Sequence, residues 1–426
     1  MSPIRISWKS IWSKPLSSAL NIMLIAFGTG ILTILILASS QISGKLDNNS
    51  KDIDLVVGAK GSPLQLILSS IYYIDFPTGN IPLKEAKELM RSPFVKRAVP
   101  LALGDNYNGS RIVGTDTNFV ALYKLNLAEG KFWNNDFETT IGSSVAESQQ
   151  LKVGDKFYGA HGLSSSSDVH KSHQYTVTGI IAPQGNVADN LILTNVASVW
   201  KMHDEHAEHD DAQADQHEHS TAEHTDHDHE KHEGHHHADH KPETDDDKEL
   251  TSILIQYRSP MSVAIFPRMV NETTNMQSAS PAQESTRLFS LIGVGVDTLQ
   301  WFAILIMLIA AVSVFVNLYN SLKERQYDLA VMRILGASRG KLFVIVIAEG
   351  IILTLAGTVV GLALGHFALQ LIGSYQESSQ AKLTGFLFLN EEIYLFVAGL
   401  AIGIFAAIIP AIQAYRSDIS RILSKN

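Results

Sequence analysis

The sequence predicts a membrane protein with four transmembrane helices in a 1+3 arrangement. A large α+β periplasmic domain lies between the first and second, interrupted by a disordered His-rich loop. Three observations carry this prediction. Four apolar runs are each long enough to cross a hydrocarbon layer of about 30 Å, which takes about 20 helical residues. Some 250 residues of mixed strand and helix patterning separate the first run from the other three. Within them, thirteen of the chain's seventeen histidines fall between 203 and 240.

The short segment 1–19 carries Arg5, Lys9 and Lys14 and precedes the first span at 20–40, whose apolar core runs from Leu20 to Ala38. A run of this length exceeds the apolar stretch of a cleaved signal peptide, so a retained anchor is expected. The second span is placed at 297–320, around Leu299 to Tyr319. The third, at 342–372, contains only Glu349 and His366 as titratable groups, and the fourth occupies 393–414. Most of the cations nearest these runs lie on one side. Besides the N-terminal three, they are Lys323, Arg325, Arg333, Arg339 and Lys341 in the 321–341 connection and Arg416, Arg421 and Lys425 in the 415–426 tail. The positive-inside rule puts those segments and both termini in the cytoplasm, with the 41–296 domain and the 373–392 loop outside.

The outer domain reads as alternating elements. Residues 80–92 suggest a short helix capped by Asn80, while 95–103 and 110–116 alternate like strands. Residues 139–159 read as strand, helix, turn and strand, with Gly154 and Asp155 in the turn. Further strands are expected at 174–183, 190–200 and 251–259. The stretch 52–80, glycine-containing and apolar, either lines a substrate path or packs the domain on the membrane.

The insertion at 203–249 holds 18 Asp/Glu against 3 Lys/Arg, a net of −15, which leaves +5 for the remainder of a chain carrying −10. Having no aliphatic side chain larger than alanine from 203 to 240, it cannot offset the entropy of ordering and is expected to be disordered. Imidazoles and carboxylates at this density suit zinc or another borderline divalent metal. The candidate ligands are His203, His206, His209, His217, His219, His224, His227, His229, His232, His235, His236, His237 and His240. The competing reading is a solvated spacer. A second candidate site, His161, His170 and His173 with His203, surrounds a Ser-rich turn; ordinary surface histidines would look the same. No cysteine is present, so no thiolate site exists.

The 322–335 stretch is an amphipathic helix with Leu322, Leu329, Met332 and Leu335 near one face and Lys323, Glu324, Arg325 and Arg333 on the others, ending at Gly336. Such a helix docks on a partner protein or rests on lipid. In the third span Gly357, Gly361 and Gly365 recur every four residues, a smooth stripe for close helix packing within the subunit or between subunits. Glu349, an intramembrane charge near the cationic end, either snorkels or pairs with Arg325 or Arg339. The closest phosphate-loop candidate, residues 336–342, has one residue too few between its glycines and no Ser or Thr after the lysine. No catalytic site, nucleic-acid surface or bound catalytic cofactor is read.

The 1+3 span order, the segment KERQYDLAVMRILGASRGKL, the terminal IPAIQAYRSDISRIL and the outer-domain stretches IGSSVAESQQLKVGDKF and YTVTGII together resemble the FtsX/MacB-like ABC transporter permeases, the type VII or mechanotransmission ABC proteins. Asp328 stands where that family usually has glutamate, and Ile419 where it usually has proline. The resemblance implies a non-catalytic permease subunit, a homodimer or paired permease, and a separate cytoplasmic ABC ATPase. It implies that ATP hydrolysis moves the outer domain. The histidine tract adds a link to zinc handling, with a periplasmic metal-binding or adaptor protein as a further partner. Export or extraction of a lipoprotein, peptide or toxic small molecule, and regulation of an envelope enzyme, are the alternatives.

Overall fold

The structure is a computed structural model and describes residues 3–161, 173–202, 248–375 and 383–416. The chain divides into two compact units: residues 1–44 with 289–426, and residues 45–288. In chain order the helices α1 (Pro3–Ser13) and α2 (Pro15–Ser50) come first. Then follow β1 (Leu55–Ala59), α3 (Pro63–Ser70), β2 (Ile81–Pro82), α4 (Leu83–Met90), β3 (Val95–Tyr107) and β4 (Ser110–Thr115). Next are α5 (Thr117–Tyr123), β5 (Leu127–Gly130), β6 (Glu138–Ile141), α6 (Ser143–Gln149), β7 (Lys156–Phe157), β8 (Ala160–His161), β9 (Tyr175–Ile181) and β10 (Leu191–Asn195). A helix over 196–202, α7, precedes β11 (Glu249–Leu250), β12 (Ser252–Tyr257), α8 (Pro260–Thr273) and β13 (Met276–Ala279). Last come α9 (Pro281–Glu324), α10 (Gln326–Ile334), α11 (Arg339–Tyr375) and α12 (Ile393–Arg416).

The inter-span unit is built on an eleven-stranded sheet whose main path runs β13-β1-β12-β3-β4-β10-β6-β9-β5. Its β10–β4 and β6–β9 pairs are parallel, the other pairs antiparallel. Strand alternation feeds two cores at once. In β1, Val56 enters one cluster while Leu55 and Val57 enter the other; in β12, Leu254 opposes Ile253 and Ile255 in the same way. The first cluster is covered by Leu66 and Ile67 of α3 and Phe119 and Leu122 of α5, the second by Leu83 and Leu89 of α4 and Phe266 and Val270 of α8. A third cluster joins Val145 of α6 to Ile141, Val177 and Ile192. Helices on both faces of one sheet therefore protect it from water.

Three local expectations are corrected. Asn80 does not cap α4: Pro82 occupies that position, and Asn80 Nδ2 donates to Glu249 Oε2 at 2.9 Å. The single strand expected at 190–200 is β10 followed by α7, because Val196 and Val199 turn into the second core at helical spacing. The apolar side chains of 52–80 mostly turn inward: Leu55, Ile67, Ile71 and Tyr73 are all within 1% of full burial, and of its large apolar side chains only Ile74 and Phe76 are exposed. The Gly154 turn forms as expected, at φ +97°.

Among the described residues, four helices are long and apolar enough to span a bilayer: α2, α9, α11 and α12. α11 is gripped on two sides by small residues. A Cβ on Gly357 would lie 2.7 Å from Ile25, one on Gly361 2.7 Å from the Ala26 carbonyl oxygen, and one on Gly365 2.7 Å from Thr33. The glycine stripe thus faces α2 of the same chain. On its other side α11 presents Gly350, Thr354 and Thr358 to Gly403 and Gly399 of α12 at similar distances. The threonine hydroxyls donate back to Gly350 and Thr354 carbonyls, so this contact buries no unpaired polar group.

Candidate functional site

One end of the membrane unit gathers the cations. There α1, the end of α9, α10 and α11 enclose a cavity of about 1010 Å³. α1 is held to α11 by two serines: Ser7 Oγ donates to the Ile345 carbonyl at 2.9 Å, and Ser10 Oγ donates to Glu349 Oε1 at 2.6 Å. Glu349 is 9% exposed, so it does not snorkel; its bonded partner is Ser10, while Arg325 lines the same cavity. An intramembrane carboxylate is costly unless its lone pairs are engaged, and α1 supplies that engagement. Lys14 pairs with Glu324, and Arg325 donates to Ser13 Oγ, tying the start of the chain to the α9–α10 junction.

α10 is a nine-residue helix set off from α9 at Arg325. It closes at Gly336, whose φ of +95° suits only glycine well, and the Ala337 N–H returns to the Met332 carbonyl at 3.0 Å. The periodic apolar face expected to meet a partner is divided. Leu322 and Leu329 are buried in a cluster with Leu342, Ile345 and Val346, and Met332 packs on that cluster. The side turned out carries Tyr327, Ile334 and Leu335, the last 81% exposed. Lys323 lies 4.7 Å over the Tyr319 ring; Glu324 is exposed and Arg333 half-buried. Tyr327 and Ile334 were not singled out by sequence, although they follow from asking which residues lie opposite Leu329.

At the far end of α11, His366 Nδ1 faces the Gly385 carbonyl at 2.6 Å and Nε2 faces Glu392 Oε2 at 3.1 Å. A carbonyl only accepts, and a neutral imidazole donates once. Nδ1 therefore donates to the carbonyl, and Nε2 is the nitrogen turned to the carboxylate. Glu392 Oε1 accepts from the Leu389 N–H, and the His366 ring lies 4.5 Å from Phe388, so the 383–392 segment is pinned against α11. His366 and Glu392 were visible in the sequence; their pairing across 26 residues was not.

In the inter-span unit Arg111 is 3% exposed, donates to the Asp75 carbonyl at 2.9 Å and stands 6.0 Å from the Phe76 ring. Burial lowers its pKa, opposed by the Asp75 charge. It anchors the loop that presents Ile74 and Phe76.

Of the candidate metal ligands, His170, His203 and all twelve others of the 203–240 tract lie outside the described residues. His161 is in β8, across from Asp105 on β3. His173 stacks on Phe137 with ring centroids 4.4 Å apart. Among the described residues no group of three His, Cys, Asp or Glu converges as a metal site. The ends of the insertion do meet: Trp200 Nε1 donates to the Glu249 carbonyl at 2.6 Å, and Lys248 lies 5.3 Å over the Trp200 ring.

Comparison with known proteins gives two family matches. The FtsX-like permease C-terminal family covers residues 301–419, and the MacB-like periplasmic core domain covers residues 18–264. Among solved structures, the chain is similar to the periplasmic region of MacB from Actinobacillus actinomycetemcomitans, at 8% identity over 57% of this chain and 97% of that one, with a TM-score of 0.32. It is also similar to the extracellular domain of the noncanonic ABC-type transporter YknZ from Gram-positive bacteria, at 10% identity over 54% and 99%, with a TM-score of 0.30. No curated protein matches. The two structural likenesses are too slight to carry weight; the family matches do, since the periplasmic-core family alone spans more than half the chain and the permease family takes in α10, α11 and α12. This membrane protein belongs to the MacB/FtsX-type family of ABC transporter permeases.

Proposed function

We propose that this chain is the transmembrane subunit of an ABC complex in a bacterial inner membrane, coupling ATP hydrolysis by a separate cytoplasmic ATPase to motion of the inter-span domain outside. The cationic flanks support an orientation with both termini, α1 and α10 in the cytoplasm. The observation that carries the reading is α10 itself. It is a short helix with one side locked into the membrane unit through Leu329 and the other offering Tyr327, Ile334 and Leu335. Movement imposed on that outer side is transmitted to α9 and α11 through the packed side. A second copy or a paired permease would give an ATPase dimer its second contact. The test is Leu335→Asp in the full chain co-expressed with its ATPase: co-purification should be lost while membrane insertion and thermal stability persist. Unchanged co-purification would return α10 to the lipid surface.

A second reading links the complex to divalent metal, zinc first. It is favoured by the thirteen histidines of the 203–240 tract and by the closed neck at Trp200 and Glu249, which lets the tract leave and rejoin the sheet at one place. Metal and protons compete for imidazoles near their usual pKa of about 6.5. Calorimetry on full-length protein should show zinc uptake that disappears on deletion of 203–247 and on acidification to about pH 5. Identical growth of the deletion strain under zinc limitation and zinc excess would leave the tract as a spacer, with lipoprotein, peptide or small-molecule extraction or envelope-enzyme regulation as the remaining roles.

A further inference from the structure

α1 is amphipathic the wrong way round for a helix in water. The side it buries is made of small polar residues: Ser7 is fully buried and Ser10 is 4% exposed, each hydrogen-bonded to α11. The side it exposes carries Trp8 at 55% and Trp12 at 69%, with ring centroids 6.5 Å apart, beside Arg5 and Lys9, both exposed. Tryptophan and basic residues turned outward together mark a helix lying at the headgroup level of a bilayer, where an amphipathic ring finds an apolar and a wet side at once.

The cavity beside this face has the matching two-part chemistry. Its walls are apolar, from Leu318, Leu322, Leu329 and Ile345, and three cations reach it: Arg5, Lys9 and Arg325. Two carboxylates also line it, Asp328 and Glu349, so three cations exceed the acidic groups by one. A monoanionic phosphodiester carrying acyl chains satisfies both halves, the phosphate between the cations and the chains along the walls and the tryptophans.

We propose that this cavity binds the headgroup of an acidic phospholipid, held by Arg5, Lys9 and Arg325, and that Trp8 and Trp12 set its depth. Free phosphate would answer to the cations but leave the apolar walls and tryptophans unused. A docked protein segment would have to displace lipid from two tryptophans at the level of the membrane flanks. The outward side of α10 used for the ATPase, through Tyr327, Ile334 and Leu335, does not line this cavity, so the proposal stands apart from the coupling reading.

The experiment is native mass spectrometry of the delipidated full chain titrated separately with phosphatidylglycerol and phosphatidylcholine. The wild type should retain one phosphatidylglycerol in preference to phosphatidylcholine. The double variant Arg5→Gln/Lys9→Gln changes only exposed side chains and should lower that preference about twenty-five-fold, at roughly fivefold per cation. The variant Trp8→Ala/Trp12→Ala should weaken retention of both lipids alike. Equal retention of the two lipids by the wild type, or an unchanged preference in the cation variant, would overturn the proposal. So would full displacement of phosphatidylglycerol by millimolar inorganic phosphate, which would make this a phosphate site. Displacement of the lipid on adding the ATPase subunit would assign the cavity to a protein partner instead.

Discussion

The inter-span unit and the membrane unit are held together by opposite means. The first is closed by large side chains: Phe119, Phe266, Tyr73 and Tyr175 are among its most completely buried residues, set on both faces of a sheet. The second is closed by residues that are barely there, with Gly357, Gly361 and Gly365 against α2 and Gly350 against Gly403 of α12. Water explains the contrast. Burying apolar area drives assembly of the inter-span domain at about 25 cal/mol per Å², whereas lipid offers no such drive, so helices there gain by bringing backbones close. One unit should therefore fail when a side chain is removed, the other when a methyl group is added.

The largest effect is expected from Phe119→Ala. Phe119 is fully buried between α5 and the sheet and packs tilted against Tyr123, with ring centroids 4.7 Å apart, so truncation should cost about 3–5 kcal/mol. Urea unfolding followed by fluorescence of the inter-span tryptophans reads this directly. A loss below 1 kcal/mol would mean that the core closes over the gap.

Next is the inverse change in the membrane unit. Gly361→Ala places a Cβ 2.7 Å from the Ala26 carbonyl oxygen and 3.0 Å from the Ala26 Cα, backbone atoms that cannot swing aside. Overpacking of this kind costs about 1–3 kcal/mol. Gly293→Ala is the control, with nothing within 4 Å of its Cβ position in α9; it should be neutral or gain up to about 1 kcal/mol from helix propensity. Thermal aggregation of detergent-solubilised protein should separate the two variants, and a Gly361→Ala protein as stable as Gly293→Ala would show that α2 and α11 have room to part.

The same contrast explains what could be read from sequence. The four spans and the glycine stripe were legible because a bilayer imposes a length and a composition, and a repeat of four places residues on one side of a helix. Which way a face turns was not. The period of the 322–335 stretch grouped Leu322 and Leu329 correctly, although the structure divides that stretch between α9 and α10, but left open whether they met a partner or, as found, Leu342 and Ile345. α1 was read only as a charged segment, since eleven residues are too few for a secure amphipathic signal and its buried face is serine. In the inter-span domain, Asn80 looked like a cap because its true partner, Glu249, lies beyond the whole histidine tract. The run 190–200 looked like one strand because apolar residues suit a buried strand and a buried helix equally.

A third test probes the polar pins that the glycine packing leaves at each end of α11. His366→Ala removes the bridge between the Gly385 carbonyl and Glu392, and leaves a carboxylate of 9% exposure without that contact. The cost is about 1–2 kcal/mol and should be local. Hydrogen exchange should accelerate in 383–392 while α11 and α12 keep their protection. The double variant His366→Ala/Glu392→Ala should lose less than the two single changes together, because no stranded carboxylate remains. Full additivity would mean the two side chains act independently.

The smallest effect belongs to the surface of the inter-span domain, where acid should act in two directions at once. Glu138 accepts from the Asn134 and Asn135 N–H groups and the Asn135 amide, contacts that favour the carboxylate and hold its pKa below the usual value. With its folded value below the unfolded one, it contributes stability above the unfolded pKa of about 4.3 and loses it as pH falls through the folded value. Asp116, which caps α5 by accepting from the Asn118 N–H at 2.9 Å, is displaced the other way, because burial raises its pKa. Its contribution is present below the unfolded pKa of about 3.9 and lost as pH rises through the folded value. Between pH 6 and pH 3 the two oppose each other, so the wild-type domain should show a shallow dependence. Glu138→Gln should leave the Asp116 contribution exposed and make the domain relatively more stable in acid than the wild type, whereas Asp116→Asn should steepen the acid loss. Urea midpoints at pH 6 and pH 3 for the three proteins decide it. Parallel pH profiles would assign acid sensitivity to groups elsewhere and leave these two carboxylates with hydrogen-bonding roles only.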